Sequence, residues 1–275
     1  MPTPSWPYPF WIAHRGAGRQ APENTLAALR LGLALGWKAF EVDAKLSADS
    51  VPFLLHDTTL DRTTTESGRA SDRAWAELST LDAGTWHHSE HAFEPIPSLT
   101  QVMNFVFSND CGLNIEIKPT PGDEDKTGEV VAHQALHDWN GAVERARQIG
   151  KQPPPPPLLS SFQPASLEAA RRVAASLPRA LLVNRAWPQW IDQAVALECS
   201  ACVVQHEMVD APMVEALKAR GLKVWVYTVN EVEEARMLVR LGVDGLITDA
   251  VHVFDPQVNP RVDPRGVTLQ GTARF

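Results

Sequence analysis

The sequence predicts an α/β protein: a (β/α)8 barrel of parallel strands with a small insertion after the second strand region. Three observations predict it. Short apolar or β-branched runs alternate with helical patterns along nearly the whole chain. Eight such strands remain once one short return strand is set aside. Ionisable residues gather where several of those strands end, which is where barrels of this kind carry their chemistry. Periodicity alone also admits an open doubly wound sheet.

The first strand is expected near Phe10 to His14. A helix follows from Asn24 to about Leu35, with Leu26, Leu29, Leu33 and Ala34 on one face. Asn24 is its candidate N-cap and Gly36 its stop. The second strand runs from Ala39 to Leu46. Ala48-Asp49-Ser50 turns the chain, and Val51 to Leu55 comes straight back as a hairpin. Residues 57–98 are irregular and read as the insertion, ending at Pro95-Ile96-Pro97.

A helix from Leu99 to about Phe107 leads to the third barrel strand, Gly112 to Lys118. A helical stretch from Gly128 to Ile149 has a candidate break at Gly141. Pro153 to Pro157 reads as a stiff surface connector. The remaining strands are Leu158 to Phe162, Arg179 to Val183, Ala201 to Val204, Lys223 to Thr228 and Val243 to Ile247. Helices Ala211 to Arg220 and Glu231 to Leu241 end at Gly221 and Gly242, where C-terminal caps belong. Residues 1–252 are expected to form one domain and 253–275 a tail.

Composition narrows the function. Hydrophobic residues make up 44% of the 275 positions, enough for a large core. The net charge is -8 and no stretch is densely basic, which sets nucleic acid aside as a partner. An anionic substrate therefore needs local positive charge, from a metal or from placed Arg and Lys. The three cysteines, Cys111, Cys199 and Cys202, are an odd number and suit a reducing compartment. Cys199 and Cys202 have the spacing of half a zinc site, but no second pair follows, so they read as small buried residues entering a strand. No apolar run reaches the ~18 residues of a membrane span, and the first residues lack a basic, then apolar leader. A cytoplasmic protein without membrane insertion is expected. The sequence leaves its oligomeric state open.

Four strand ends carry the candidate chemistry. His14-Arg15-Gly16 offers an imidazole for proton transfer, a guanidinium for a phosphate and a glycine for close approach. Glu41 and Asp43 are two residues apart on a strand, so both project from one face. Inside a barrel they would repel unless a cation sat between them; on a solvent face they would be an ordinary polar alternation. His56-Asp57 ends the return strand, beside the second strand. In Asn114-Ile115-Glu116-Ile117-Lys118, Glu116 and Lys118 share a face, as a third carboxylate and an ammonium, or as a plain ion pair. Together these make a parts list for phosphate-ester hydrolysis around a hard cation such as Mg²⁺ or Ca²⁺.

The sequence resembles the glycerophosphodiester phosphodiesterase family, its bacterial cytosolic branch in particular. The matching stretches are His14-Arg-Gly16, Ala21-Pro-Glu-Asn-Thr25, Glu41-Val-Asp43, His56-Asp57, Ile96-Pro-Ser-Leu99, Asn114-Ile-Glu-Ile-Lys118, Ser160-Ser-Phe162, Thr228-Val-Asn230 and Val243-Asp-Gly-Leu-Ile-Thr-Asp249. They fall in family order over nearly the whole chain. The resemblance implies a TIM barrel. It implies that Glu41, Asp43 and Glu116 bind one divalent metal, that His14 and His56 are the general acid/base pair, and that Arg15 and Lys118 hold the phosphate. The implied substrate is a small glycerophosphodiester, such as glycerophosphocholine or glycerophosphoethanolamine, cleaved to glycerol 3-phosphate and an alcohol.

Two departures stand out. The hairpin turn reads Asp49-Ser50 where the family has Asp-Gly, and the family's Trp before Thr228 is Tyr227. Trp225 lies two residues earlier on the same face, so Phe162, Trp225 and Tyr227 are the candidate pocket aromatics. His87-His88-Ser89-Glu90-His91, in the insertion, reads as a solvated loop, with a second metal site as the alternative and Trp86 or Phe93 as candidate lid residues. Two other functions fit the barrel: a sphingomyelinase D-like lipid phosphodiesterase, and a non-catalytic binder of phosphate metabolites. The first would want disulfides and a secreted chain; the second should have lost a catalytic His or metal carboxylate.

Overall fold

The structure, a computed structural model, describes residues 6–260. The apolar runs form nine strands: β1 (Trp11–Ala13), β2 (Ala39–Leu46), β3 (Pro52–Leu54), β4 (Gly112–Ile117), β5 (Leu158–Ser161), β6 (Arg179–Val183), β7 (Ala201–Gln205), β8 (Lys223–Tyr227) and β9 (Gly245–Thr248). Eight of them run parallel in the order β1-β9-β8-β7-β6-β5-β4-β2, and β1 pairs with β2 to close the ring. The open sheet is thereby excluded; the fold is the TIM barrel. The ninth, β3, runs antiparallel to the upper end of β2, as the hairpin predicts.

The helices are α1 (Leu26–Ala34), α2 (Trp75–Leu78), α3 (Leu99–Ser108), α4 (Glu124–Gln148), α5 (Pro164–Val173), α6 (Trp190–Ala196), α7 (Ala211–Ala219) and α8 (Val232–Leu241). No helix of the described residues is long and apolar enough to cross a membrane.

Strand β2 shows how the sequence builds both sides of the wall. Phe40, Val42 and Ala44 face outward into the helix layer, whereas Ala39 joins the cluster inside the barrel. Glu41 and Asp43 share the face of Ala39 and so point inward. The lower barrel is filled by Tyr8, Ile12, Leu158, Val203, Trp225 and Ile247. Trp6, Tyr8 and Trp225 meet edge to face there, with centroids 4.8–5.6 Å apart. Gly245 makes room for them: a Cβ there would stand 2.7 Å from Trp225 Nε1.

Several expectations are corrected. Thr25, not Asn24, caps α1: its hydroxyl accepts from the Ala28 N–H at 3.2 Å. Asn24 has φ +58° and turns its amide inward to Asp43 instead. Helix α4 starts at Glu124 and runs unbroken for 25 residues through Gly141. The cost of one glycine, about 1 kcal/mol, is outweighed by the buried stripe of Val131, Ala132, Ala135, Ala142 and Ala146. The polyproline run is partly covered, because the Pro154 and Pro156 carbonyls accept hydrogen bonds from Trp139 and Tyr8. Beyond residue 252, where a tail is expected, Phe254 is buried and stacks on Trp11 at 4.6 Å. The rest of the expected tail, from residue 261, lies outside the described residues.

The insertion packs Leu60, Ala70, Leu78, Ala83 and Ile96 against Phe53 of the return strand and Leu55 just after it to form a small core. It thereby holds its polar loops against the barrel mouth.

Candidate active site

Five strands, β1, β2, β3, β4 and β9, place ionisable residues at one site. Strand β2 brings Glu41 and Asp43, and β4 brings Glu116 and Lys118, with Asp43 directly opposite Glu116 in the register. Oxygens of Glu41, Asp43 and Glu116 lie within 4.8 Å of one another. Two oxygens on one Mg²⁺ or Ca²⁺ ion, each at about 2.0–2.6 Å, lie no more than about 5.2 Å apart, so the spacing fits a single cation. The buried Glu41 Oε1 has no hydrogen-bond partner among the described residues. Asp43 Oδ1 takes no hydrogen bond either, although Lys118 Nζ stands 3.3 Å away. Buried acceptors left bare in this way are what a cation would satisfy, and an all-oxygen donor set suits a hard one.

Electrostatics agree with that fit. Burial, then the charges of Asp43 and Glu116, push the Glu41 carboxyl well above its ordinary range. Burial and the Asp43 charge raise Glu116 to about 7. Asp43 goes the other way: burial opposes its charge, but Lys118, Arg15, His56 and the Asn24 amide outweigh it. The three carboxylates cannot all be charged this close together without further positive charge.

Each imidazole is tethered by a carboxylate. His14 follows β1; its Nδ1 lies 2.6 Å from Asp249 Oδ1, and its Nε2 points to Glu41 Oε2 at 3.7 Å. Asp249 follows β9, and Asn230 fixes it through the Asp249 N–H at 2.9 Å. Burial would raise the Asp249 carboxyl, but the hydrogen bond and charge of His14 hold it below the ordinary range. Gly18 permits this approach, since a Cβ there would stand 2.0 Å from the Asp249 carbonyl oxygen. His56 follows β3, with Nδ1 2.6 Å from Asp57 Oδ1. Burial, helped by Lys118 and Arg15, lowers the His56 pKa against the pull of Asp43 and Asp57.

The cations join these parts. Lys118 Nζ donates to Glu116 Oε1 at 2.8 Å. Arg15 Nε lies 3.2 Å from Asp43 Oδ2, and Arg15 Nη1 donates to Glu23 at 2.8 Å. Glu23 also accepts two bonds from Arg62, which reaches on to Asp57 at 2.7 Å. A chain of ion pairs thus runs from Arg15 through Glu23, Arg62 and Asp57 to His56.

Phe162 and Tyr227 stand half-buried at the mouth, with centroids 6.0 Å apart and Lys118 Nζ 5.9 Å from the Phe162 ring. Trp225 is not brought to the mouth. It is 1% exposed in the lower barrel core, because the two-residue step that keeps it on the inner face also drops it one layer below Tyr227. Of the histidine run, His87 lines the cleft over His14 together with Trp86 and Arg62. Among the described residues the only group with metal-binding spacing is Glu41, Asp43 and Glu116. Phe93 is 87% exposed and does not line that cleft. Sequence reasoning gave no role to Asp249, Arg62 or Glu23. Asp249 was detectable as an acid closing the last strand; Arg62 had no local signal.

Comparison with known proteins accords with the geometry. The sequence profile of the glycerophosphoryl diester phosphodiesterase family matches residues 14–253. A glycerophosphodiester phosphodiesterase of Caldanaerobacter subterraneus subsp. tengcongensis is 32% identical over 242 residues, 86% of this chain and 93% of that protein. The putative glycerophosphodiester phosphodiesterase YhdW of Bacillus subtilis is 31% identical over 87% of this chain and 94% of its own length. Among solved structures, an Oleispira antarctica phosphodiesterase in complex with the product sn-glycerol-3-phosphate superposes with a TM-score of 0.79. It is 32% identical and the match covers 93% of this chain and 97% of that one. A barrel whose mouth gathers these side chains, and a likeness running nearly end to end, give one conclusion: the chain belongs to the glycerophosphoryl diester phosphodiesterase family and is a phosphodiester-hydrolysing enzyme of that family.

Proposed function

We propose that the enzyme hydrolyses small glycerophosphodiesters to glycerol 3-phosphate and an alcohol, with one Mg²⁺ or Ca²⁺ ion held by Glu41, Asp43 and Glu116. The observation that carries this is the convergence of three carboxylates, two tethered imidazoles and two cations on one point of the barrel mouth. Charge supports it. Three carboxylates against Arg15 and Lys118 leave one negative charge; a divalent cation makes the site positive by one, matching a phosphodiester monoanion. The product complex of the Oleispira antarctica relative supports a small-molecule substrate of this class.

Once bound, the cation would polarise a phosphoryl oxygen. Arg15 and Lys118 hold the remaining phosphoryl oxygens, releasing their present carboxylate partners to the cation. His14 donates an Nδ1–H hydrogen bond to Asp249, so Nε2 carries the lone pair and takes the proton of the attacking hydroxyl. If that is the substrate's own glycerol hydroxyl rather than water, a cyclic glycerophosphate forms first and water then opens it to glycerol 3-phosphate. His56, held by Asp57, gives a proton to the departing alcohol. The phosphodiester's charge restores the imidazolium form that burial disfavours. Phe162 and Tyr227 flank the bound diester. Neither a sphingomyelinase D-like lipid phosphodiesterase nor a passive binder is favoured: the cysteines are unpaired, where the first would want disulfides, and every histidine and carboxylate of the proposed set is present, where the second should have lost one.

A cytoplasmic role returning glycerol 3-phosphate from degraded phospholipid is consistent with three buried, unpaired cysteines. The test is glycerol 3-phosphate release from glycerophosphocholine and glycerophosphoethanolamine with EDTA, then with Mg²⁺ or Ca²⁺ restored. Activity lost to EDTA and recovered with one ion supports the proposal; release indifferent to EDTA removes the metal from it.

A further inference from the structure

Beside the phosphate-facing groups lies a second opening. From Phe162, next to Lys118, a groove of about 590 Å³ runs around the mouth past the ends of β5, β6 and β7. Its walls include Asn184, Arg185, Trp187 and Gln205. Gln205 pairs with Tyr227 in the register, so the groove continues the same rim that holds the two mouth aromatics. The cleft over His14, roofed by Trp86 and Arg62, is smaller at about 380 Å³. The glycerol half of every substrate has one size, while the alcohol half varies, so the wider groove is the natural seat of the alcohol.

The chemistry of this groove selects among alcohols. Arg185 is exposed in it, and no ion pair of Arg185 is found among the described residues. No carboxylate lines it. Of the carboxylates around it, Glu207 accepts from the Gln205 amide at 3.3 Å, Asp192 is paired with Arg220, and Glu116, at the inner end, is held by Lys118. The Trp187 ring is fixed through its N–H to Gln193 at 3.1 Å. A quaternary ammonium would want aromatic faces free of competing cations, or an acid. A polyol fits better: its C–H faces lie on Phe162 and Trp187, and its hydroxyls meet amides and a guanidinium.

Building on the proposed phosphodiesterase reaction, we propose that Arg185, Asn184 and Gln205 form the alcohol subsite, which takes a neutral or anionic polyol in preference to a cationic amino alcohol. Arg185 discriminates by repelling positive charge as well as by donating hydrogen bonds.

The test compares kcat/KM for glycerophosphoglycerol and glycerophosphoinositol with that for glycerophosphocholine, in wild type, Arg185→Glu and Asn184→Leu, all with the metal present. The wild type should prefer the polyol diesters by about tenfold or more. Arg185→Glu should cut that ratio about tenfold, chiefly by raising the choline diester, and Asn184→Leu should cut it by lowering the polyols. Both side chains are exposed, and the thermal transition of each variant checks folding. Choline preference in the wild type, or ratios unmoved in both variants, overturns the subsite while leaving the phosphodiesterase reaction standing. No cleavage of any diester by folded, metal-loaded enzyme overturns both.

Discussion

Asp249→Asn replaces one oxygen with an NH₂ group and should disable the proposed base without touching a metal ligand. His14 Nδ1 lies 2.6 Å from Asp249 Oδ1, a charge-assisted contact worth about 1.5–3 kcal/mol, or roughly 10- to 150-fold. The substitution also acts on the tautomer. The Asn230 amide nitrogen faces Asp249 Oδ2 at 3.5 Å, so a new NH₂ on that side would meet another donor. The amide therefore turns its NH₂ to His14, Nδ1 becomes the acceptor, and the proton moves to Nε2, where the lone pair is needed. A wrong tautomer in the serine-protease triad costs about 10⁴-fold, which sets the upper bound. The expectation is a kcat at least about 100-fold lower, with KM within about threefold and unchanged metal affinity. The assay is glycerol 3-phosphate release at saturating metal, repeated in His14→Ala and in the double variant. Because both residues act through one proton transfer, the double variant should be no slower than His14→Ala. A kcat within threefold of wild type, or losses that multiply in the double variant, would refute the dyad.

Leaving-group dependence separates the two histidines. His56→Ala should lose about 100-fold or more on alkyl diesters but little on a p-nitrophenyl diester, whose leaving group needs no proton; His14→Ala should lose alike on both. Equal losses in both variants would reverse or void the assignment. Metal binding should be pH-dependent. Glu116, raised to about 7, and Glu41, also raised by burial and its acidic neighbours, hold protons in the cation-free protein that the unfolded chain releases above about 4.5. Stability of the cation-free protein therefore falls as pH climbs from about 4.5 to 7, while metal affinity rises over the same window with expulsion of one to two protons per ion. Calorimetry at pH 6 in buffers of different ionisation heat reads the protons directly; an enthalpy independent of buffer would contradict this. Trp225→Ala should destabilise by about 3–5 kcal/mol and lower Tm by roughly 10 °C. Trp225→Phe should keep kcat and KM within about twofold; a marked KM change would return Trp225 to the pocket.

Much of the barrel was legible because its signals are local. Strand β2 is bounded as expected, from Ala39 to Leu46, since two-residue alternation and a turn fix it without reference to the rest of the chain. Glu41, Asp43, Glu116 and Lys118 were found because each pair is spaced two residues apart on or just after a strand, and parallel pairing of β2 with β4 sets the two pairs side by side. The sequence also determined the residue types available there: hard oxygen ligands, two imidazoles and two fixed cations in an otherwise acidic chain.

Only the tertiary structure decided which of those residues are partners. Asp249 reaches His14 across 235 positions because ring closure sets β9 beside β1. Arg62 joins Glu23 and Asp57 from an insertion held in place by the small core it shares with the return strand. The face of β2 that points inward depends on the helices packed against the other face. Trp225 and Tyr227 share one face in sequence but stand in different layers, and depth along a barrel axis is set by strand stagger, which no local pattern encodes.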